Sequence, residues 1–185
     1  GFFKNFTNAS NAVFETSAEF YYKNLNNVVD YVDGAQLYLN PTVETQLLVG
    51  KGLAYGAEFF LKKSRGKRLT GWISYTYARA FNQMIGDYPE VQSINRGEWF
   101  ATNYDKPHTF NMMLNIQPTT HHSFSFTFAY NTGRPFSSPS GSYEIGGKVY
   151  PVFAERNNDR VRDYHRLDFS WTINNPSLIK KRWEG

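Results

Sequence analysis

From Ser123 to Tyr130 the chain alternates without a break. Phe124, Phe126, Phe128 and Tyr130 hold one parity, and Ser123, Ser125, Thr127 and Ala129 hold the other. A period of two is the spacing of a β-strand, whose successive side chains point to opposite faces. The same pattern predicts a strand at Thr109 to Gln117, with Phe110, Met112, Leu114 and Ile116 against Asn111, Met113, Asn115 and Gln117. It predicts another at Arg166 to Ile173, with Leu167, Phe169, Trp171 and Ile173 against Arg166, Asp168, Ser170 and Thr172. Gly71 to Ala78 sets Ile73, Tyr75 and Tyr77 against Ser74, Thr76 and Ala78. Val13 to Lys23 sets Phe14, Ala18, Phe20 and Tyr22 against Glu15, Ser17, Glu19 and Lys23. The weakest pattern runs through Ala57, Phe59 and Leu61, because Phe60 shares the parity of Glu58 and Lys62.

About six strands result, each near the roughly 9–11 residues that cross a bilayer when tilted. The predicted connections alternate in length. Those at about 24–50, 81–107 and 132–163 are long, whereas 64–70 and 118–121 are short. Short turns on one side and long loops on the other are the habit of outer-membrane barrels, and a soluble sandwich has no reason to adopt it. The long segments carry turn residues, as in Asn131-Thr132-Gly133-Arg134-Pro135 and Ser137-Ser138-Pro139-Ser140-Gly141. The expected fold is therefore all-β, an antiparallel transmembrane β-barrel. Its apolar face meets lipid and its polar face lines a wet lumen. All 185 residues belong to that one domain. About six strands cannot close alone, since bacterial single-chain barrels start at eight. Gly1-Phe2-Phe3-Lys4 and Trp183-Glu184-Gly185 read as the interior of a longer protein.

Composition sharpens this picture. The 16 Phe, 13 Tyr and 4 Trp dominate the apolar share. Aromatic residues favour strands and gather at membrane–water boundaries. No stretch reaches the ~20 apolar residues of a transmembrane helix. The absence of cysteine excludes a disulfide scaffold or a cysteine zinc site. A net charge of +4 without long basic runs gives no reason to expect nucleic acid. The basic groups at Lys62-Lys63-Arg65-Lys67-Arg68 and Lys180-Lys181-Arg182 read as solvated turns.

Six stretches, in order, resemble the barrel of TonB-dependent receptors, especially the SusC-like branch. They are Phe20-Tyr21-Tyr22-Lys23-Asn24-Leu25-Asn26-Asn27, Gly50-Lys51-Gly52-Leu53-Ala54-Tyr55-Gly56-Ala57-Glu58 and Gly71-Trp72-Ile73-Ser74-Tyr75-Thr76. Asp105-Lys106-Pro107-His108, Gly133-Arg134-Pro135 and Asp163-Tyr164-His165-Arg166-Leu167-Asp168 complete the set. Val161-Arg162 stands before the last stretch where the family pattern has an apolar residue and Pro. The resemblance implies a 22-stranded barrel in the outer membrane of a Gram-negative bacterium. It also implies a plug domain and a TonB box outside this chain. The expected partners are outer-membrane lipid, TonB and a SusD-like surface lipoprotein. Implied ligands are siderophores, cobalamin, glycans or peptides. The alternatives are another outer-membrane barrel, such as a porin or adhesin, or a soluble carbohydrate-binding sandwich.

Candidate chemistry is sparse. Asp163, His165 and Asp168 lack a nucleophile elbow nearby. His121 and His122 are adjacent, so on a strand they would point apart. His108 and His165 read as hydrogen-bonding groups at strand starts. No enzyme activity, metal or cofactor is expected. The candidate lumen-facing residues are Glu15, Glu19, Glu58, Asn111, Asn115, Arg166 and Asp168. The carboxylates read as solvated or paired with Lys23, Lys62 or Arg166. Tyr88, Trp99, Phe100, Tyr104, Tyr143 and Tyr150 lie in long connections. There they either meet a ligand or partner or pack the loops together.

Overall fold

The computed structural model describes residues 1–8, 11–66, 68–87 and 93–174. It is all-β, with antiparallel sheets. The main sheet contains β1 (Phe2–Thr7), β2 (Val13–Tyr31), β3 (Leu47–Arg65), β4 (Leu69–Met84), β5 (Phe100–Ala101), β6 (His108–Ile116), β7 (His122–Asn131) and β12 (Tyr164–Ile173). Its path is β1-β2-β3-β4-β6-β7-β12, and β5 pairs with β4 beyond the end of β6. Every long strand thus pairs with its neighbour in sequence, as a meander. The long connection after β7 holds β8 (Pro135–Phe136) paired with β11 (Asp159–Arg160). It also holds a hairpin of β9 (Gly141–Ile145) and β10 (Lys148–Val152). Among the described residues no helix is long and apolar enough to cross a membrane.

The six expected strands are present, but three are longer than their alternation indicated. β2 continues to Tyr31, β3 begins at Leu47, and β4 runs to Met84. The first long connection is therefore 32–46 and not about 24–50. The reason is a bulge at Asn27, which has φ 59° and falls between the pairs Asn26↔Lys51 and Val28↔Gly50. One extra residue reverses the parity of everything after it, so the period-two pattern breaks although the strand does not. β1 and the short loop strands were not anticipated. Lys62 and Lys63 lie within β3, not in the turn that follows it. Lys180-Lys181-Arg182 lie outside the described residues.

Register assigns every strand residue to one of two faces. One face carries Phe20, Phe59, Tyr75, Phe110, Phe128 and Phe169 with their same-parity neighbours. Among the described residues no second layer covers it. Phe20 is 72% exposed, Leu167 64% and Trp171 54%. Ring pairs knit it across strands, as between Phe20 and Phe59 at 5.9 Å and between Phe126 and Phe169 at 5.1 Å. The band runs obliquely. Paired positions link Thr16, Leu61, Ile73, Met112, Phe128 and Leu167 in one row. Leu61 ends the apolar run of β3 nearest the short turns, whereas Leu167 ends that of β12 nearest the long loops.

The buried core sits elsewhere. Leu48, Met84, Ile94 and Phe100 pack together at the long-loop end, with Val28 and Val32 against them. The pairings of β3 with β2 and β4 put Leu48, Met84 and Val28 on the polar side of the sheet. The long connections therefore fold over that side.

Candidate functional site

The polar face gathers all seven candidates of the first group. Glu15, Glu19 and Glu58 share it with Asn111, Asn115, Arg166 and Asp168, because paired residues in a ladder share a face. Lys62 Nζ meets Glu15 Oε2 at 3.1 Å, as the sequence suggested for one of these carboxylates. Arg166 Nε meets Asp168 Oδ2 at 2.8 Å, and Ser125 donates to Asn115 Oδ1 at 2.7 Å. Glu19 and Glu58 stand directly opposite each other. Like charges across a ladder destabilise it, and the pair is tolerable where both carboxylates stay hydrated.

The middle of this face has a low floor of Ala54, Gly56, Ala78 and Ala80. A Cβ on Gly56 would collide with the Tyr77 carbonyl and the Tyr21 ring, so the Tyr21 side chain covers the position. Over this floor lies an open groove of about 500 Å³, bordered by Tyr21, Lys23, Glu58, Tyr104 and Lys106. Lys23 Nζ sits 5.5 Å from the centre of the Tyr21 ring. A second cleft, of about 390 Å³, lies toward the long loops and shares Tyr104 as a wall. Asn82, Asn103, Asn157, Ser137 and Thr102 contribute neutral hydrogen-bonding groups there. Thr102 is 3% exposed, and its hydroxyl has no protein partner. Buried hydroxyls ordinarily have one.

The structure also joins residues that the sequence left separate. β6 ends at His108, so β4 needs other partners past Tyr77. Pro107 O accepts from Ala78 N at 3.1 Å, and the Asp105 carboxylate accepts from Ala80 N at 2.8 Å. Asp105 is 1% exposed and also binds Arg79 Nε at 3.2 Å and the Arg160 guanidinium. Arg160 Nη1 donates further to the Asp105 and Gly133 carbonyls, at 2.9 and 3.0 Å. Arg160 carries no sequence signal of this role. Its partner lies 55 residues away, and only folding brings them together.

Nearby, Asp163 accepts from Gly133 N at 2.9 Å and from the Tyr130 hydroxyl. The Tyr130 hydrogen bond, then that of Gly133, then the Arg160 and His108 charges hold the Asp163 carboxyl below its ordinary range. His108 Nδ1 lies 2.8 Å from the Tyr75 hydroxyl, the hydrogen-bonding role expected of it.

The loop aromatics divide. Tyr104 is 63% exposed, and Trp99, Tyr143 and Tyr150 are also exposed. Tyr143 and Tyr150 stack on each other at 5.6 Å across the β9–β10 hairpin. Phe100 takes the packing alternative. It is 5% exposed and belongs to the loop-end core, because its short strand pairs with β4 at Asn82. Tyr88 lies outside the described residues. No family model, curated protein or solved structure matches this chain.

Proposed function

We propose that this chain is part of the barrel wall of a TonB-dependent outer-membrane transporter of the SusC-like kind. In this reading it is not an enzyme. The apolar face meets lipid, the polar face borders the ligand route, and the long loops lie outside the cell. The observation that carries this reading is the oblique, uncovered aromatic band. A single-layer sheet with one apolar face needs something apolar against that face, and nothing in the described chain supplies it. Hydrocarbon would.

The slant of the band agrees with that assignment. From β3 to β12 the loop-side edge of the band slides from the level of Leu53 to that of Leu61, eight residues over four strand steps. From β2 it slides from Tyr22 to Thr16, six residues over five steps. With ~3.3 Å per residue and ~4.8 Å between strands, these slopes correspond to strands inclined by roughly 40–55°. Barrel strands in outer membranes tilt by about 35–45°. Toward the loops the outward face carries the rings of Tyr22, Tyr55 and Phe81 before the polar row of Asn26, Lys51 and Gln83. Aromatic girdles in this position are habitual in such proteins.

On the other side, the small-residue floor leaves room for cargo beside the wall. The two clefts that share Tyr104 form successive stations between the loops and the middle of the face. Ligand uptake itself would need the plug and TonB, which the family resemblance implies and this chain does not supply.

The test is fractionation of the full protein. An outer-membrane barrel stays with the outer-membrane fraction and enters solution only with detergent. Release into detergent-free buffer as a monodisperse species would sink the reading and favour a soluble sandwich. A barrel without a plug domain and TonB box in the full sequence would leave a porin or adhesin.

A further inference from the structure

Three long connections meet at one residue. Arg156, in the 132–163 connection, is 17% exposed in its side chain and holds two carboxylates from the end of β2 and the loop after it. Its Nη1 meets Asp30 Oδ2 at 2.9 Å, and its Nη2 meets Asp33 Oδ1 at 2.6 Å. Its Nε also donates to Asp33 at 3.0 Å, and Nη2 donates to the Tyr31 carbonyl at 2.9 Å. The backbone of the same residue is clasped from the third connection. Asn95 Oδ1 accepts from Arg156 N at 2.6 Å, and Asn95 Nδ2 donates to Arg156 O at 3.1 Å. Asn95 can present its amide this way because it stands at φ 48°, a left-handed conformation that Asn tolerates better than most residues.

We infer that Arg156 is a latch that fastens the 132–163 connection as a strap across the mouth of the second cleft. The cleft has walls from β2 and from two of the connections. Val28 and Asp30 come from the end of β2, Thr102 and Asn103 from the connection before β6, and Ser137 and Asn157 from the 132–163 connection. Asn157, next to the latch, extends the fastening by donating to the Ala101 carbonyl at 2.7 Å. A guanidinium that satisfies two carboxylates and a carbonyl at once is directional in a way that an ammonium is not. Arg156 and Asp30, the charged groups in the cleft's lining, face each other, and the other polar groups there are neutral. Releasing Arg156 would free the strap while the sheet beneath keeps its own ladder. The inference concerns how the loops are held, and it stands whether or not the apolar face meets lipid.

The chain has no cysteine, so a cysteine pair at the exposed positions Tyr38 and Ser142 would report the strap by spin-label distance. The measurement uses the full protein in detergent, with amide exchange of residues 132–163 as a second readout. Arg156→Gln is expected to broaden the distance distribution and raise exchange in the strap at least tenfold. Asn95→Ala, which removes the backbone clasp and keeps the ion pairs, should give a smaller change in the same direction. Arg96→Gln is the control. Its pair with Glu155 is exposed at both ends, and exchange should change less than twofold. In every variant β7 should exchange as in the parent. Arg156→Gln and Asn95→Ala behaving like Arg96→Gln would overturn the latch. So would exchange rising equally in β7 and in the strap, which would mean that Arg156 supports the whole fold.

Discussion

The strands and the loop end of this protein place their apolar side chains in opposite ways. In the strands, large aromatic side chains stand exposed on one face, and nothing among the described residues covers them. At the loop end, Met84 and Ile94 are wholly buried and Asp105 is buried among two arginines. That is the ordinary architecture of a protein in water, confined to a small region. On the proposed reading, the difference teaches that one polypeptide can answer to two solvents. Where water surrounds it, apolar groups turn inward and ions pair. Where the proposed solvent is hydrocarbon, the same apolar groups turn outward and the backbone ladder alone satisfies the polar atoms.

Several perturbations would sharpen or break this contrast. The largest effect is expected at the loop end. Asp105→Ala leaves the Arg79 and Arg160 charges uncompensated and removes the acceptor of Ala80 N. Loss of one partner from a buried ionic group costs about 3–5 kcal/mol, measurable by denaturant unfolding of the protein in detergent. A loss below about 1 kcal/mol would mean that the loop end is not a true interior.

Within the strands, the two faces should respond unequally to one charge. Phe128→Arg puts a cation on the outward face and should cost about 2–4 kcal/mol in folding into lipid vesicles. Thr127→Arg, one residue away on the polar face, should cost under about 1 kcal/mol. Equal losses would erase the distinction between faces. A smaller effect is expected at the turn end of the polar face. There Lys62→Met breaks a half-exposed pair with Glu15, and such pairs contribute about 0.2–1 kcal/mol.

The smallest effect is a pH dependence at Asp163. Folding lowers its pKa, so its contribution is complete above the ordinary carboxylate value and fades as pH falls through the depressed one. The stability gap between the parent and Asp163→Asn should be constant at neutral pH and close only below the usual carboxylate range. A gap that changes between pH 6 and 7 would break the assignment to Asp163.

Much of the main sheet is legible in the sequence. A strict period of two, as at Ser123 to Tyr130, leaves one regular conformation that puts all the Phe residues together, and short turns force neighbours to pair. The seven polar-face candidates followed from parity alone. Parity failed where the backbone inserted a residue, at Asn27, and where a strand was too short to show a period, as at Phe100. Tertiary structure alone decided the rest. Whether Phe100 is a surface aromatic or a core residue depends on which strand edge its segment meets. The partnerships of Asp105 with Arg160, and of Arg156 with Asp33 and Asn95, join residues 55 to 123 positions apart. Local pattern cannot encode such pairings, because an ion pair is specified by distance in space and carries no period along the chain.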